Sequence, residues 1–161
     1  QLQLQNVVAL EPSTKHSQAR WHRDLPYQHW VCSACLSVSV IVCLSEFNEL
    51  TGSTMFIPGS HLHEEFPSEE YAEQNTQQFS ARPGDAIAFN SMVFHRSGFN
   101  QSEAQRVGVN HVYTPPFIKQ QIDLSSIGSD SGQLSELECD LFGISFKTPL
   151  NIEEFYKRKG V

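Results

Sequence analysis

Residues 77–114 read QQFSARPGDAIAFNSMVFHRSGFNQSEAQRVGVNHVYT, and the way this stretch divides into strands decides the fold. Arg82-Pro83-Gly84-Asp85 and Gly98-Phe99-Asn100-Gln101 are clusters of turn formers, because glycine, asparagine and aspartate tolerate tight backbone and proline presets φ. The runs that they separate, 77–81, 86–90, 93–97 and 106–114, are short and alternate with period two, the mark of strands. Upstream, 53–57 reads as a short strand between Thr51-Gly52 and Pro58-Gly59-Ser60, and the β-branched run 35–44 as a buried one. Residues 19–24 read as a further strand, ended at Leu25-Pro26 because proline cannot donate to a ladder. An opening strand at Leu2, Leu4 and Val7-Val8 closes at Glu11-Pro12. The acidic stretch 64–78 lacks strand character and reads as a loop with a helical turn. About eight short strands with little helix point to a mainly β jelly roll, a double-stranded β-helix of cupin type, whose open mouth is the natural ligand site. Beyond Pro115-Pro116 the chain is polar and rich in Ser and Gly through Gly132. Short helices are then expected near 134–142 and 152–159, the second capped by Asn151. The expectation is one jelly-roll domain over 1–161, with its core at about 1–116 and a C-terminal extension at 117–161.

Composition narrows the partners. A chain of 161 residues builds a core without disulfides or a structural metal, so a metal here is expected to be functional. With 18 acidic and 11 basic residues the net charge is −7, which argues against nucleic acid. The apolar run 35–44 is far shorter than the ~18–20 residues of a membrane span, so no membrane association is expected. The chain opens on no secretory pattern, and four cysteines read as reduced thiols in a cytoplasmic setting.

The sharpest chemical feature is His22-Arg23-Asp24. On a strand, i and i+2 project to one face, so His22 and Asp24 converge while Arg23 faces away. His95, on a late strand that returns beside them, supplies a third ligand. Two histidines and a carboxylate occupy one face of an octahedral metal and leave positions open, the arrangement of non-haem Fe(II) oxygenases. Arg106 opens the last core strand, and a guanidinium inside a chain this poor in basic residues calls for a carboxylate partner.

Trp21-His22-Arg23-Asp24, the segment TGSTMFIPGSH at 51–61, Arg82-Pro83-Gly84-Asp85 and the run from His95 to Arg106 together resemble the phytanoyl-CoA dioxygenase family over roughly 21–116. Each motif alone is weak; their order and spacing are specific. The resemblance implies an Fe(II)- and 2-oxoglutarate-dependent dioxygenase that hydroxylates a small organic substrate with dioxygen and releases succinate and carbon dioxide. It implies that His22, Asp24 and His95 are the catalytic iron ligands, that Arg106 pairs with the distal carboxylate of 2-oxoglutarate and that Ser97 assists it. Gln3, Gln5 and Asn6 are the candidates for the polar co-substrate contact that the family places on its first strand. Asp24 argues against the halogenase branch, which has a small residue there. Family members also carry a helical segment ahead of the first barrel strand, whereas here strand character begins almost at Gln1, as in a fragment or a minimal version. The alternative function is a cupin-like barrel that keeps the metal but serves as a binding module or inactive homologue.

Other motifs read as structural. Cys32-Ser33-Ala34-Cys35 is half a zinc site without a second half, since Cys43 and Cys139 stand alone. His61-Leu62-His63 follows a turn and precedes two glutamates, as a solvated loop does. His22-Arg23-Asp24-Leu25 mimics a kinase catalytic loop, but His29 stands where the metal-binding Asn is needed. Tyr27, Gln28, His29 and Trp30 are the candidates for substrate contact, and Phe89, Phe94 and Val109 are read as core.

Overall fold

The computed structural model describes residues 1–14, 20–26, 29–129 and 134–160. Two antiparallel sheets face each other. The larger has the order β1-β7-β2-β5, from β1 (Leu2–Leu10), β7 (Arg106–Tyr113), β2 (Val38–Cys43) and β5 (Ala86–Asn90). The smaller has the order β4-β3-β6, from β4 (Gln77–Gln78), β3 (Met55–Phe56) and β6 (His95–Arg96). This is the jelly roll expected from the strand pattern. Short helices α1 (Glu69–Asn75), α2 (Glu136–Leu141) and α3 (Ile152–Arg158), with 3-10 turns at Ser60–Leu62, Ser125–Ser129 and Ile144–Phe146, complete the described elements, and Asn151 caps α3 as anticipated. Among the described residues no helix is long and apolar enough to cross a membrane.

Alternation on β7 sets the inside of the larger sheet. Arg106, Gly108, Asn110 and Val112 face inward, and the residues between them face outward. Val109, expected in the core, therefore lies on the outer face, paired with Val7 on one side and Val42 on the other. Gly108 has no room for a side chain, since a Cβ there would meet the Phe47 ring at 2.9 Å and Ile41 at 3.0 Å. Ile41, Cys43, Phe47 and Ala81 form the packed centre between the sheets, flanked by Val8, Ile87 and Phe89. Trp21, Ile57, Ala72 and Phe94 pack under the smaller sheet.

The strand expected at 19–24 is not formed at 20–24, the part described. His22 and His95 exchange backbone hydrogen bonds of 3.0 and 3.1 Å, a single bridge. The ladder stops there because its partner turns away: Val93 N–H donates to the Asn90 carbonyl, Met92 N–H to the Asn90 side chain, and Asp24 N–H reaches past them to the Ser91 carbonyl. The same turn trims the expected strand 93–97 to His95–Arg96. In β2 the inward residues are Ser39, Ile41 and Cys43, while Val38 on the other face is 39% exposed, so the strand expected to be buried is covered on one side only.

Candidate metal centre

His22, Asp24 and His95 come together although only His95 lies on a strand. Their donor atoms all lie within 4.8 Å of one another, the one such group of potential metal ligands among the described residues. Asp24 Oδ1 is 3.4 Å from His95 Nε2 and 3.9 Å from His22 Nε2. Each imidazole is fixed from behind. His22 Nδ1 hydrogen-bonds the Arg20 carbonyl at 2.8 Å, and His95 Nδ1 the Val93 carbonyl at 2.9 Å. With Nδ1 acting as the donor, Nε2 carries the lone pair and points toward Asp24, as metal ligation requires. Phe89 and Phe56 wall His95, with ring centroids at 4.8 and 6.0 Å. The His22 side chain stays 38% exposed, so the centre opens on that side.

The carboxylate has its own support. Ser39 Oγ donates to Asp24 Oδ2 at 2.5 Å, Ser91 Oγ lies 2.7 Å from Ser39 Oγ, and Ser37 Oγ donates to Ser91 at 2.6 Å. All three serines are buried. Burial pushes the Asp24 carboxyl up, but the hydrogen bond and charge of His95, the Ser39 hydroxyl and His22 together outweigh it and hold the group below its ordinary range. Burial and then the charge of His95 lower the His22 imidazole, against the Arg20 carbonyl and Asp24. Both shifts favour the deprotonated forms that bind metal.

A cavity of about 510 Å³ opens beside this cluster and also reaches Arg106 and Ser97. Arg106 is 4% exposed; its Nη1 donates to the Gly52 carbonyl at 2.6 Å and its guanidinium lies 4.7 Å from the Phe47 ring centroid. Its Nε has no hydrogen-bond partner, and no ion pair among the described residues engages it. Burial lowers its pKa to about 10, with Cys43 opposing the shift, so it stays charged at neutral pH. A buried cation without an acidic partner is costly, which marks this as a place for an anionic ligand.

The first-strand candidates separate by face. Asn6 lines the cavity, opposite Asn110. Gln5 points to the outer face, exposed and bonded to His111 Nε2 at 2.8 Å, so it does not reach the cavity. Gln3 is buried under the C-terminal segment, its amide donating to the Lys119 carbonyl. Tyr27 and Gln28 lie outside the described residues. His29 sits against Phe66, and Trp30 packs on Leu25, Met92 and Val112; neither lines the cavity. Arg23 faces away from the cluster, as expected, stacked 4.2 Å over Phe94 and donating to the carbonyls of Trp30, Ser60 and His63. Cys32 and Cys35 are exposed free thiols.

Sequence reasoning missed Ser39. The signal was parity: Ser39 shares the inward face of β2 with Ile41 and Cys43.

The family model described as phytanoyl-CoA dioxygenase matches residues 1–108. The uncharacterized protein Rv1501 of Mycobacterium tuberculosis is 30% identical over 142 residues, covering 87% of this chain and 51% of its own length. The dioxygenase trt7 of Aspergillus terreus is 38% identical over 80 residues, half of this chain and 28% of its own. The chain thus spans about half the length of the first of these relatives and less of the second. A crystal structure of HygX from Streptomyces hygroscopicus, with nickel, 2-oxoglutarate and hygromycin B bound, shares the fold at a TM-score of 0.59 and 18% identity. That match covers 78% of this chain and 60% of HygX.

Proposed function

This chain belongs to the phytanoyl-CoA dioxygenase family, and from that premise we propose that it is an Fe(II)- and 2-oxoglutarate-dependent dioxygenase that hydroxylates a small organic molecule. One observation carries the reading: a cavity with a two-histidine, one-carboxylate donor set also holds a buried arginine that no carboxylate of the described chain engages. Iron with 2-oxoglutarate and dioxygen supplies the oxidation, which converts the co-substrate to succinate and carbon dioxide and places a hydroxyl on the substrate. The chain's residues position those partners. His22, Asp24 and His95 hold the metal through Nε2, a carboxylate oxygen and Nε2. The serine relay orients the carboxylate, and His95, followed by Ser39, keeps it ionised. Arg106 pairs with the far carboxylate of 2-oxoglutarate in the manner guanidinium favours, with Ser97 beside it. Leu4, Val8, Leu10 and Ile41 give the cavity an apolar wall that limits water.

The basic residues near the mouth argue against an acyl-CoA substrate. Of the three arginines near the mouth, Arg23 is spent on backbone carbonyls, Arg96 stacks on Trp21 at 4.4 Å with Glu69 at 3.9 Å, and Arg20 is exposed. That leaves little cationic surface for a nucleotide's phosphates, so a compact, weakly charged substrate fits better.

Anaerobic titration of metal-free protein with Fe(II) and then 2-oxoglutarate tests the proposal. A visible charge-transfer band that appears in the unmutated protein and not in His95→Ala is the expected result. Folded protein that gives no band overturns it and favours the binding-module alternative.

A further inference from the structure

Asn110 is neither one of the three metal-ligand candidates nor part of the serine support behind Asp24. It is 6% exposed, on the inward face of β7, and lines the same cavity as the metal cluster and Arg106. Its Oδ1 is buried without a hydrogen-bond partner. Its neighbours across the sheet are Ile41 on β2, which offers nothing polar, and Asn6 on β1, which faces the same cavity. A buried, unpaired amide is a net cost to the fold unless a ligand or ordered water completes it.

Strand register says which ligand. Along the inward face of β7 come first Arg106, opposite Leu10, then Asn110, opposite Ile41, then Val112, opposite Ser39. Ser39 is the residue that holds Asp24. Arg106 and Asn110 are four residues apart, about 13 Å of strand, and the long arginine side chain covers a good part of that span. A five-carbon dicarboxylate held at one end by Arg106 and at the other beside Asp24 therefore passes over Asn110.

Resting on the 2-oxoglutarate reading above, we infer that Asn110 is a co-substrate-binding residue, donating its side-chain N–H to the keto-acid end of 2-oxoglutarate. Oδ1 has no partner in the structure, and rotation of the amide about χ2 exchanges Oδ1 with Nδ2, which brings the N–H to the edge the ligand meets. Arg106 then selects the length and charge of the co-substrate, and Asn110 holds its metal-proximal end in register with Asp24.

The test is calorimetric titration of 2-oxoglutarate, without oxygen, into Mn(II)-loaded wild type, Asn110→Leu, Asn110→Asp and Arg106→Ala, each first titrated with Mn(II) alone. Loss of a charge-assisted hydrogen bond raises the 2-oxoglutarate Kd of Asn110→Leu about ten- to a hundredfold. Asn110→Asp, nearly the same shape but anionic, is expected to weaken it at least as much, while Mn(II) affinity stays within about twofold in Asn110→Leu and does not fall in Asn110→Asp. Asn110→Asp keeps the test decisive if the leucine variant fails to fold. In the Fe(II) form, the charge-transfer band of either variant is expected to shift in position. A normal Kd in both Asn110 variants beside a weakened Arg106→Ala overturns the assignment of Asn110 alone. Wild type that binds Mn(II) but not 2-oxoglutarate overturns the functional reading with it.

Discussion

Ser39 shows how much of a metal site lies behind its ligands. Its hydroxyl fixes the Asp24 carboxylate and is itself fixed by Ser91 and Ser37, so Ser39→Ala leaves a carboxylate free to rotate away from the two imidazoles. Partners of this kind are worth about 10–100-fold in metal affinity. Competition against a metal-binding dye is expected to show a loss in that range, with the fold intact by circular dichroism. Arg106→Lys separates charge from geometry: lysine keeps the cation but not the planar fork, so 2-oxoglutarate affinity is expected to fall at least about tenfold while metal affinity is unchanged. Acidity gives a third check. His22 and Asp24 both have folded pKa values below their ordinary 6.5 and 3.8, so at a given pH below those values the unfolded chain holds more protons. The metal-free protein therefore loses stability as pH falls, first below about 6.5 through His22 and again below about 3.8 through Asp24. Urea unfolding at pH 8.0 and 5.5 is expected to show the first loss in wild type and a smaller one in His22→Gln.

At the scale of elements, β7 carries the most consequence for its length. Gly108 lets the Phe47 ring lie against the sheet, and that ring in turn backs the Arg106 guanidinium. Gly108→Ala places a methyl 2.9 Å from the ring, an overpacking of about 1–3 kcal/mol, and displaces the ring toward Arg106. Thermal unfolding is expected to drop by several degrees, accompanied by weaker 2-oxoglutarate binding; a stability loss without the binding change would show that Phe47 does not position Arg106. The strands β1, β2, β5 and β7 were legible because period-two alternation bounded by turn residues survives any packing arrangement. The second expected strand was not, because its ladder depends on the path of a distant partner, and the Asn90–Val93 turn removes that partner after one bridge. The metal ligands were legible because His-x-Asp with a later His is chemically specific. The co-substrate contact on β1 was not, because the irregular register between Leu2 and Leu4 settles which of its alternating polar residues face inward, and composition does not show that irregularity. Ser39 escaped because a serine on a strand has many uses, and only its distance to Asp24 selects one.

At the scale of the molecule, the segment after Pro116 ties the metal centre to the start of the chain, beyond the residues that match the family model. Gln1 and Gln3 donate their side-chain amides to the carbonyls of Ile118 and Lys119, Gln120 donates back to the Leu2 carbonyl, and Gln121 N–H donates to Gln3. Ile118 caps the cluster of Leu25, Met92 and Val112. At the end of this strap the Gln121 amide donates to the Asp24 carbonyl at 2.9 Å, so one segment holds both the opening strand and the turn that carries a metal ligand. The strap's stability and the metal's affinity are therefore linked. Gln121→Leu removes a single, solvent-facing hydrogen bond, worth about 0.5–1.5 kcal/mol, and is expected to weaken metal binding severalfold with little change in thermal stability. Ending the chain after Pro115 also uncovers the Leu25 cluster, so both quantities are expected to fall: metal affinity by more than in Gln121→Leu, and thermal unfolding by several degrees. Metal affinity that survives the truncation would show that the Asp24 turn is held by Ser91 and Ser39 alone, with the strap serving only to cover the core.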